Sequence, residues 1–475
     1  MPCAGWWNGR GTEDWSTAVP VTPSDRGPGD HIPSAAGGAF PPRDGNLVES
    51  LVDGGVAFDR IAAAVESAKS SVWVCVAFLE VGARFPGGRG TFFDLMDGAA
   101  RRGLDVRVLF WHPEGTPTGE DADDVFPGDE SAADLLAGRG TGWQARWDSA
   151  GRQCQHQKVW LVDAGTSDEV VFVGGINIGA GSMAGPDHAE ASEPWRYGNI
   201  HDVHCLVRGP AATDVHENFT MRWNGASERG REHGAWPPHG TDDLTPPTSR
   251  SASAGPTRVQ VTRSVLPGLY DALPDGENSV REQYLAAISA ARDYVYLENQ
   301  ILLSRAVLEV LGEALDRGVR VVAMVPGDPM PVLAAARSHP GVAAGFAALA
   351  ALGRRKGFCL AAPAARRSWG YEEVYVHAKA AVVDDAWATI GSTNLIFTSF
   401  QGDTEMNVSF WDGDLVQGLR SRLVGEQGGF DSSGTSGVEA IDRLAEVARA
   451  NAGRREGGEV LQGFACAIDP ATWAT

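Results

Sequence analysis

Two stretches far apart in this chain carry the same helix-to-strand pattern. AAVESAKSSVWV from Ala63 aligns without a gap on AAISAARDYVYL from Ala286, and LMDGAARRGLDVRVLFW from Leu95 is echoed by LGEALDRGVRVVAMV from Leu311. In each, an Ala-rich segment with apolar residues at helical spacing runs into a short Val-rich segment, as when a helix delivers a buried strand. The unit is much longer than a solenoid repeat, so it implies a duplicated α/β domain and not an array. Any α/β protein alternates such segments, so repetition alone does not separate duplication from coincidence. Residues that carry chemistry do.

Downstream of the first repeat the chain reads HQKVWLVDAGTSDEVVFVGGINIG, with His156, Lys158 and Asp163 followed by Gly174, Gly175 and Asn177. Downstream of the second it reads HAKAAVVDDAWATIGSTN, in which His377, Lys379 and Asp384 recur at the same spacing, followed by Gly391, Ser392 and Asn394. Residues two apart in a strand share a face, so each His-Lys pair points one way while the apolar residues after it are buried. The small residues beyond each Asp let backbone approach a ligand, and Asn177 and Asn394 offer amide hydrogens to an anionic oxygen. A lone His-x-Lys would be an exposed polar pair and a lone Gly-Ser-x-Asn a turn. Two ordered copies favour a shared site.

This pair of motifs resembles the duplicated His-x-Lys-x4-Asp signature of the phospholipase D superfamily, with likeness from about Leu47 to Val424. YLENQ at Tyr296 to Gln300 and HDVHCLVRGPAATDVHENFTMRWN from His201 add to it. The resemblance implies an α/β fold of two pseudo-symmetric α/β/α lobes with the active site at their interface. It implies a two-step displacement in which one His attacks phosphorus to form a phosphohistidine and the other protonates the departing alcohol, then activates water or an acceptor alcohol. His156 is the expected nucleophile and His377 the general acid and base, although the residues alone allow the reverse. Lys158, Lys379, Asn177 and Asn394 would hold the nonbridging oxygens. Asp202 and Glu405 would accept the Nδ1 hydrogens of the two histidines, while Asp163 and Asp384 belong to the motif but brace local structure. Neither metal nor cofactor is expected, since lysines and imidazolium supply the positive charge. The first copy departs from the second in a longer insertion before Gly174 and in Gly175 where the other has Ser392; a longer hairpin tip would absorb the insertion.

The expected organisation is an irregular arm over residues 1–45 covering the first lobe, a first lobe over 46–224, a Pro-, Gly- and Ser-rich linker over 225–258, a second lobe over 259–430 and a helical tail over 431–475. No window is apolar enough to span a bilayer and the N-terminus lacks a basic segment followed by an apolar one, so a cytoplasmic protein is expected, and a monomer is the expected state. The formal charge of -21 opposes attraction to nucleic acid and anionic surfaces. A phospholipid headgroup or another phosphodiester is therefore the expected substrate, water or an alcohol the acceptor, and membrane contact transient. A metal-independent nuclease of the same superfamily and a silent lipid-binding protein are the alternatives.

The six scattered cysteines fit free buried thiols. His112, His188, His201, His204 and His216 match no recurrent metal-ligand spacing and are expected at the surface or behind the site. Glu298, Asn299 and Gln300 fit a strand-end site and a satisfied buried cluster equally. Loops after Asn177 and Pro326 place Trp195, Tyr197, Met330 and Phe346 as candidate channel residues or ordinary packing.

Overall fold

The computed structural model describes residues 31–113, 124–126, 128–148, 154–189, 199–226 and 242–475. Residues 1–30 of the expected arm, residues 227–241 of the expected linker, Trp195 and Tyr197 lie outside them. The first half holds strands β1 (Arg43–Val52), β2 (Ser71–Val76), β3 (Asp105–Trp111), β4 (Gln144–Asp148), β5 (Lys158–Val162), β6 (Val170–Gly174), β7 (Ile200–His201) and β8 (Val203–Arg208). Its helices are α1 (Gly54–Ser67), α2 (Phe92–Arg101), α3 (Glu130–Arg139) and α4 (Pro210–Ala226). The second half holds β9 (Thr257–Val265), β10 (Glu277–Asn278), β11 (Tyr294–Asn299), β12 (Arg320–Met324), β13 (Phe358–Arg367), β14 (Gly370–Glu373), β15 (Tyr375–Val376), β16 (Lys379–Val383), β17 (Trp387–Gly391) and β18 (Glu405–Trp411). Its helices are α5 (Ser279–Ala290), α6 (Arg305–Asp316), α7 (Pro331–Ala336), α8 (Pro340–Leu352), α9 (Phe397–Gln401) and α10 (Gly413–Gly428), and the chain ends in α11 (Gly437–Glu456) and β19 (Ala465–Ala467).

The duplication is explicit in the sheet order. The first sheet runs β1-β8-β6-β5-β2-β3-β4, antiparallel up to β5–β2 and parallel beyond. The second runs β9-β18-β17-β16-β11-β12-β13 with the same senses. β1 and β9 pair antiparallel at Arg43 with Val259 and at Asn46 with Thr257, so equivalent edge strands meet across a pseudo-twofold.

Alternation along the central strands builds the cores. Val72, Val74 and Val76 pack with Phe58, Ile61 and Phe92 of α1 and α2, whereas Trp73 and Cys75 face the other way, toward a core shared by both halves. Val321 and Ala323 likewise pack with Leu308 and Leu311 of α6, and Val322 and Met324 face the shared core. Each sheet is thus covered on both faces. Cys75, Cys154, Cys205, Cys359 and Cys466 are free and buried.

Three expectations are corrected. The described part of the N-terminal arm lies on the second half, because that is where side chains receive its backbone: the Ala35 amide donates to Gln260 and Gln283, and those of Ala36 and Gly37 donate to Glu282. The segment after Pro326 is helical over α7 and α8, and Phe346 is core, 5% exposed beside Trp473. The tail is not wholly helical, since β19 adds an antiparallel edge to β13.

Candidate active site

Each catalytic-motif histidine lies just before its strand, where the two halves exchange backbone hydrogen bonds. The His156 amide donates to Thr404 O at 3.0 Å and the Thr404 amide to Cys154 O at 2.9 Å. At the equivalent place the His377 amide donates to His201 O at 2.8 Å, beside the parallel pairing of β7 with β15. The side chains follow the same crossing. His156 Nδ1 lies 3.0 Å from both carboxylate oxygens of Glu405, and His377 Nδ1 lies 2.6 Å from Asp202 Oδ2. The carboxylate supporting each imidazole comes from the other half. A proton held on Nδ1 leaves the Nε2 lone pair available.

The asymmetry between the copies has a local cause. A Cβ on Gly175 would meet Asp202 Oδ1 at 2.4 Å, so the shorter carboxylate occupies the space a side chain would need. Across the pseudo-twofold, Ser392 Oγ instead donates to Glu405 Oε2 at 2.5 Å. The extra residues of the first copy sit in the turn: β5 pairs with β6 from Lys158–Gly174 to Val162–Val170, leaving 163–169 outside the ladder, against 384–386 between β16 and β17.

Lys158 Nζ donates to His156 O at 2.7 Å and lies 5.7 Å from the centre of the Phe78 ring. Lys379 Nζ donates to His377 O and to Gln300 Oε1 at 3.1 Å. The side chains of both histidines and both lysines are buried. Burial, with Lys158 and Lys379 nearby, pushes His156 well below its ordinary value. Burial and Lys379 push His377 down to about 3 in spite of Asp202. Both imidazoles are therefore neutral at neutral pH in the protein alone. Burial lowers Lys158 to about 8 and Lys379 to about 7, and raises Glu405 to about 7. Asp202 is held below the carboxylate range, because the His377 contact outweighs its burial. Lys379 acts on His156 and Lys158 acts on His377, so the two motifs share one electrostatic environment.

Asn177 and Asn394 occupy equivalent positions past β6 and β17, and among the described residues the Oδ1 of each meets no hydrogen-bond partner. Asp163 and Asp384 are not brought to the site. At about 3.3 Å per strand residue they lie on the order of 20 Å from their histidines. Both adopt left-handed backbone, φ 56°. Asp163 Oδ1 accepts from the amides of Lys69 and Ser70 at 2.8 and 2.7 Å, and Asp384 accepts from those of Arg292, Asp293 and Tyr294 at 2.7 to 2.9 Å. Each ties its hairpin to the start of the neighbouring central strand.

Phe78 and Asp403 carried no motif and were not anticipated. The Phe78 ring stands edge-on to His156 at 6.1 Å, against Trp111. Asp403 accepts from the Cys154 amide at 3.1 Å. Of the YLENQ residues, Gln300 reaches the site through Lys379, and its Nε2 meets Tyr375 Oη at 3.1 Å and Met330 Sδ at 3.8 Å. Asn299 Oδ1 accepts from the amides of Ile301 and Leu395, bracing the turn that carries Asn394. His201, His204 and His216 are buried and not on the surface; His216 Nδ1 pairs with Glu169 at 2.9 Å.

Duplicated, fully covered sheets with two buried His-Lys pairs at one seam define a class of two-motif phosphodiesterases whose halves share a site. Comparison with known proteins agrees. Residues 284–424 match the family model described as cardiolipin synthase, PLD-like domain, and residues 189–308 that described as phospholipase D. The chain belongs to the phospholipase D superfamily. Cardiolipin synthase of Listeria monocytogenes serotype 4a is 25% identical over 386 residues, covering 80% of this chain and 68% of that one. Cardiolipin synthase of Staphylococcus aureus strain Mu50 is 24% identical over 271 residues, 57% of this chain and 46% of that one. Phosphatidylserine synthase of Haemophilus influenzae Rd KW20 shares the fold, with a TM-score of 0.52 at 14% identity over 82% of this chain and 87% of that one.

Proposed function

We propose that this chain cleaves or transfers the phosphatidyl group of a phospholipid through a phosphohistidine on His156, with His377 as general acid and then base. The observation that carries the reading is the crossed pairing of His156 with Glu405 and His377 with Asp202. Two imidazoles so oriented, and neutral by burial, supply one nucleophile and one proton carrier.

In the first step Nε2 of His156 forms the N–P bond as the P–O bond to the headgroup breaks. The leaving oxygen takes its proton from His377. That imidazole is neutral in the protein alone, and the phosphodiester brings the negative charge that, with Asp202, favours its protonated form. Lys158, Lys379 and the amides of Asn177 and Asn394 meet the nonbridging oxygens, where charge accumulates in the trigonal-bipyramidal state. In the second step His377 takes a proton from water or an alcohol, whose oxygen displaces His156. Asp163 and Asp384 hold the hairpins in register and touch no reacting atom.

Phospholipid is supported by the cardiolipin synthase relatives, and a charge of -21 opposes a polyanionic substrate. Among the described residues no helix is long and apolar enough to cross a membrane, and the contact with a lipid surface is proposed to be transient. The chain is read as acting as a monomer, since both motifs belong to one chain.

The test is headgroup release and transfer to added glycerol from vesicles of phosphatidylcholine and phosphatidylglycerol, with a labelled oligonucleotide in parallel. His156→Ala and His377→Ala should each abolish lipid turnover. An alkaline quench, which preserves the N–P bond, should yield a phosphohistidine at residue 156 in the wild type. Oligonucleotide cleavage without lipid turnover, or turnover that survives both substitutions, would overturn the reading.

A further inference from the structure

Next to Asp202, the support of His377, four side chains converge that the reaction does not use. Asp53 follows β1, His188 precedes β7, His201 ends β7 and Glu426 lies on α10. One donor atom from each falls within 4.8 Å of the other three. His201 Nδ1 is 2.9 Å from Asp53 Oδ1 and 3.0 Å from Glu426 Oε1; His188 Nε2 is 3.2 Å from Glu426 Oε1 and 3.8 Å from Asp53 Oδ1. We propose that these residues form a structural site for a tetrahedral divalent transition ion of the zinc class, clamping the two halves together next to Asp202.

The distances suit that ion. Zinc–nitrogen and zinc–oxygen bonds of about 2.0–2.2 Å give a tetrahedron whose edges are about 3.3 Å, and the four measured edges bracket that length. Two imidazoles with two carboxylates disfavour calcium and magnesium, which take oxygen ligands. The tautomer is arranged from behind: Glu298 Oε2 lies 2.8 Å from His201 Nε2, while the other oxygen of that carboxylate, Oε1, accepts from the Tyr296 hydroxyl at 2.5 Å, which turns the Nδ1 lone pair toward the cluster.

Charge points the same way. Asp53, Glu298 and Glu426 surround two imidazoles, and among the described residues the ion-pair partners of these carboxylates are those imidazoles. Asp53 is wholly buried, and among the described residues its Oδ2 meets no hydrogen-bond partner, so hydrogen bonds leave part of the carboxylate's charge uncompensated and a cation held by that carboxylate offsets it.

The consequence for the reaction is positional. The Asp53 amide donates to Asp202 O at 2.9 Å, and His201 O accepts from the amides of both His377 and Ala378. An ion on Asp53 and His201 stiffens the backbone that aims Asp202 at His377, while Glu426 ties it to the second half. The ion takes no part in bond making.

Metal content of the full chain, purified without chelator, tests this directly. The expected result is about one zinc per chain, a melting temperature that falls by several degrees when zinc is stripped and recovers on its return, and a tetrahedral ligand-field spectrum after cobalt replacement. His188→Gln and Glu426→Gln should each lose the ion, and His156→Ala should keep it. A wild type with no bound metal whose melting temperature ignores added zinc would overturn the proposal, as would zinc held equally well by both ligand variants. The cobalt spectrum uses the wild type alone and stands even if a variant fails to fold.

Discussion

Asp202 and Glu405 hold the same post on opposite imidazoles, yet they differ in charge. Asp202 is ionised beside His377, whereas burial brings Glu405 to about 7, so at neutral pH His156 faces a carboxyl that is only partly charged. Asp202→Asn should therefore lower kcat by about 10²–10⁴-fold with little change in KM, because it strips stabilisation from an imidazolium formed during the reaction. With a lipid analogue whose leaving group needs no proton, the loss should shrink to a few-fold; an equal loss on both substrates would remove His377 from the role of acid. Asp163 belongs to the same motif and should behave differently. Asp163→Ala frees the part-buried amides of Lys69 and Ser70 and should destabilise the fold by about 1–3 kcal/mol, seen in urea unfolding, while kcat per folded molecule stays within a few-fold. The motif spacing marks all eight His, Lys, Asp and Asn positions alike. Geometry divides them, because a strand of five residues carries its two ends to different places. Phe78 and Asp403 were invisible in the sequence for the opposite reason: an aromatic and an acid without repeated spacing look like any others until the fold sets them beside His156 and Cys154.

At the scale of elements, the strand openings at β5 and β16 hold two lysines that burial makes easier to deprotonate, to about 8 and about 7. Substrate phosphate restores their charge, so the alkaline limb of kcat/KM should fall near pH 7–8 and that of kcat at higher pH; coincident limbs would exclude the lysines as phosphate ligands. The same burial bears on stability. Between about 7 and its ordinary 10.5, Lys379 binds fewer protons folded than unfolded, so its contribution to stability rises with pH through that window and is least favourable at neutrality. Lys379→Met removes this slope. The melting temperature of the variant relative to wild type should be most favourable near pH 7 and decline toward about pH 9.5, while activity is lost throughout. A flat difference would show that Lys379 is not depressed in the folded protein. The central helix-strand units behind these openings were legible because their residues alternate between two apolar faces. The arm and the strand in the tail were not, since residues 35–37 are held through backbone amides by Gln260, Gln283 and Glu282, and β19 is an edge strand of three residues.

For the molecule as a whole, duplication was readable from the repeats but the crossing of the halves was not. Nothing in either motif says that Glu405 will serve His156 and Asp202 will serve His377; a carboxylate in each half could as well have served the histidine of its own half. The sheets decide it, because β1 pairs with β9 and β7 pairs with β15, which sets each histidine against the other half's carboxylate segment. One chain therefore makes one site from two incomplete ones, and neither half contains a supported imidazole without the other. It follows that two inactive variants cannot repair each other. His156→Ala and His377→Ala, mixed after folding or unfolded and refolded together, should remain as inactive as either alone, because every chain closes its own defective histidine into its own site. A dimer that exchanged halves would form one intact site in every mixed pair, and up to about a quarter of wild-type activity should then return on refolding together. Measured turnover of the mixture against the separate variants decides between the arrangements: no recovery keeps the site within one chain, and recovery would mean that the carboxylate seen on each histidine is supplied by a partner.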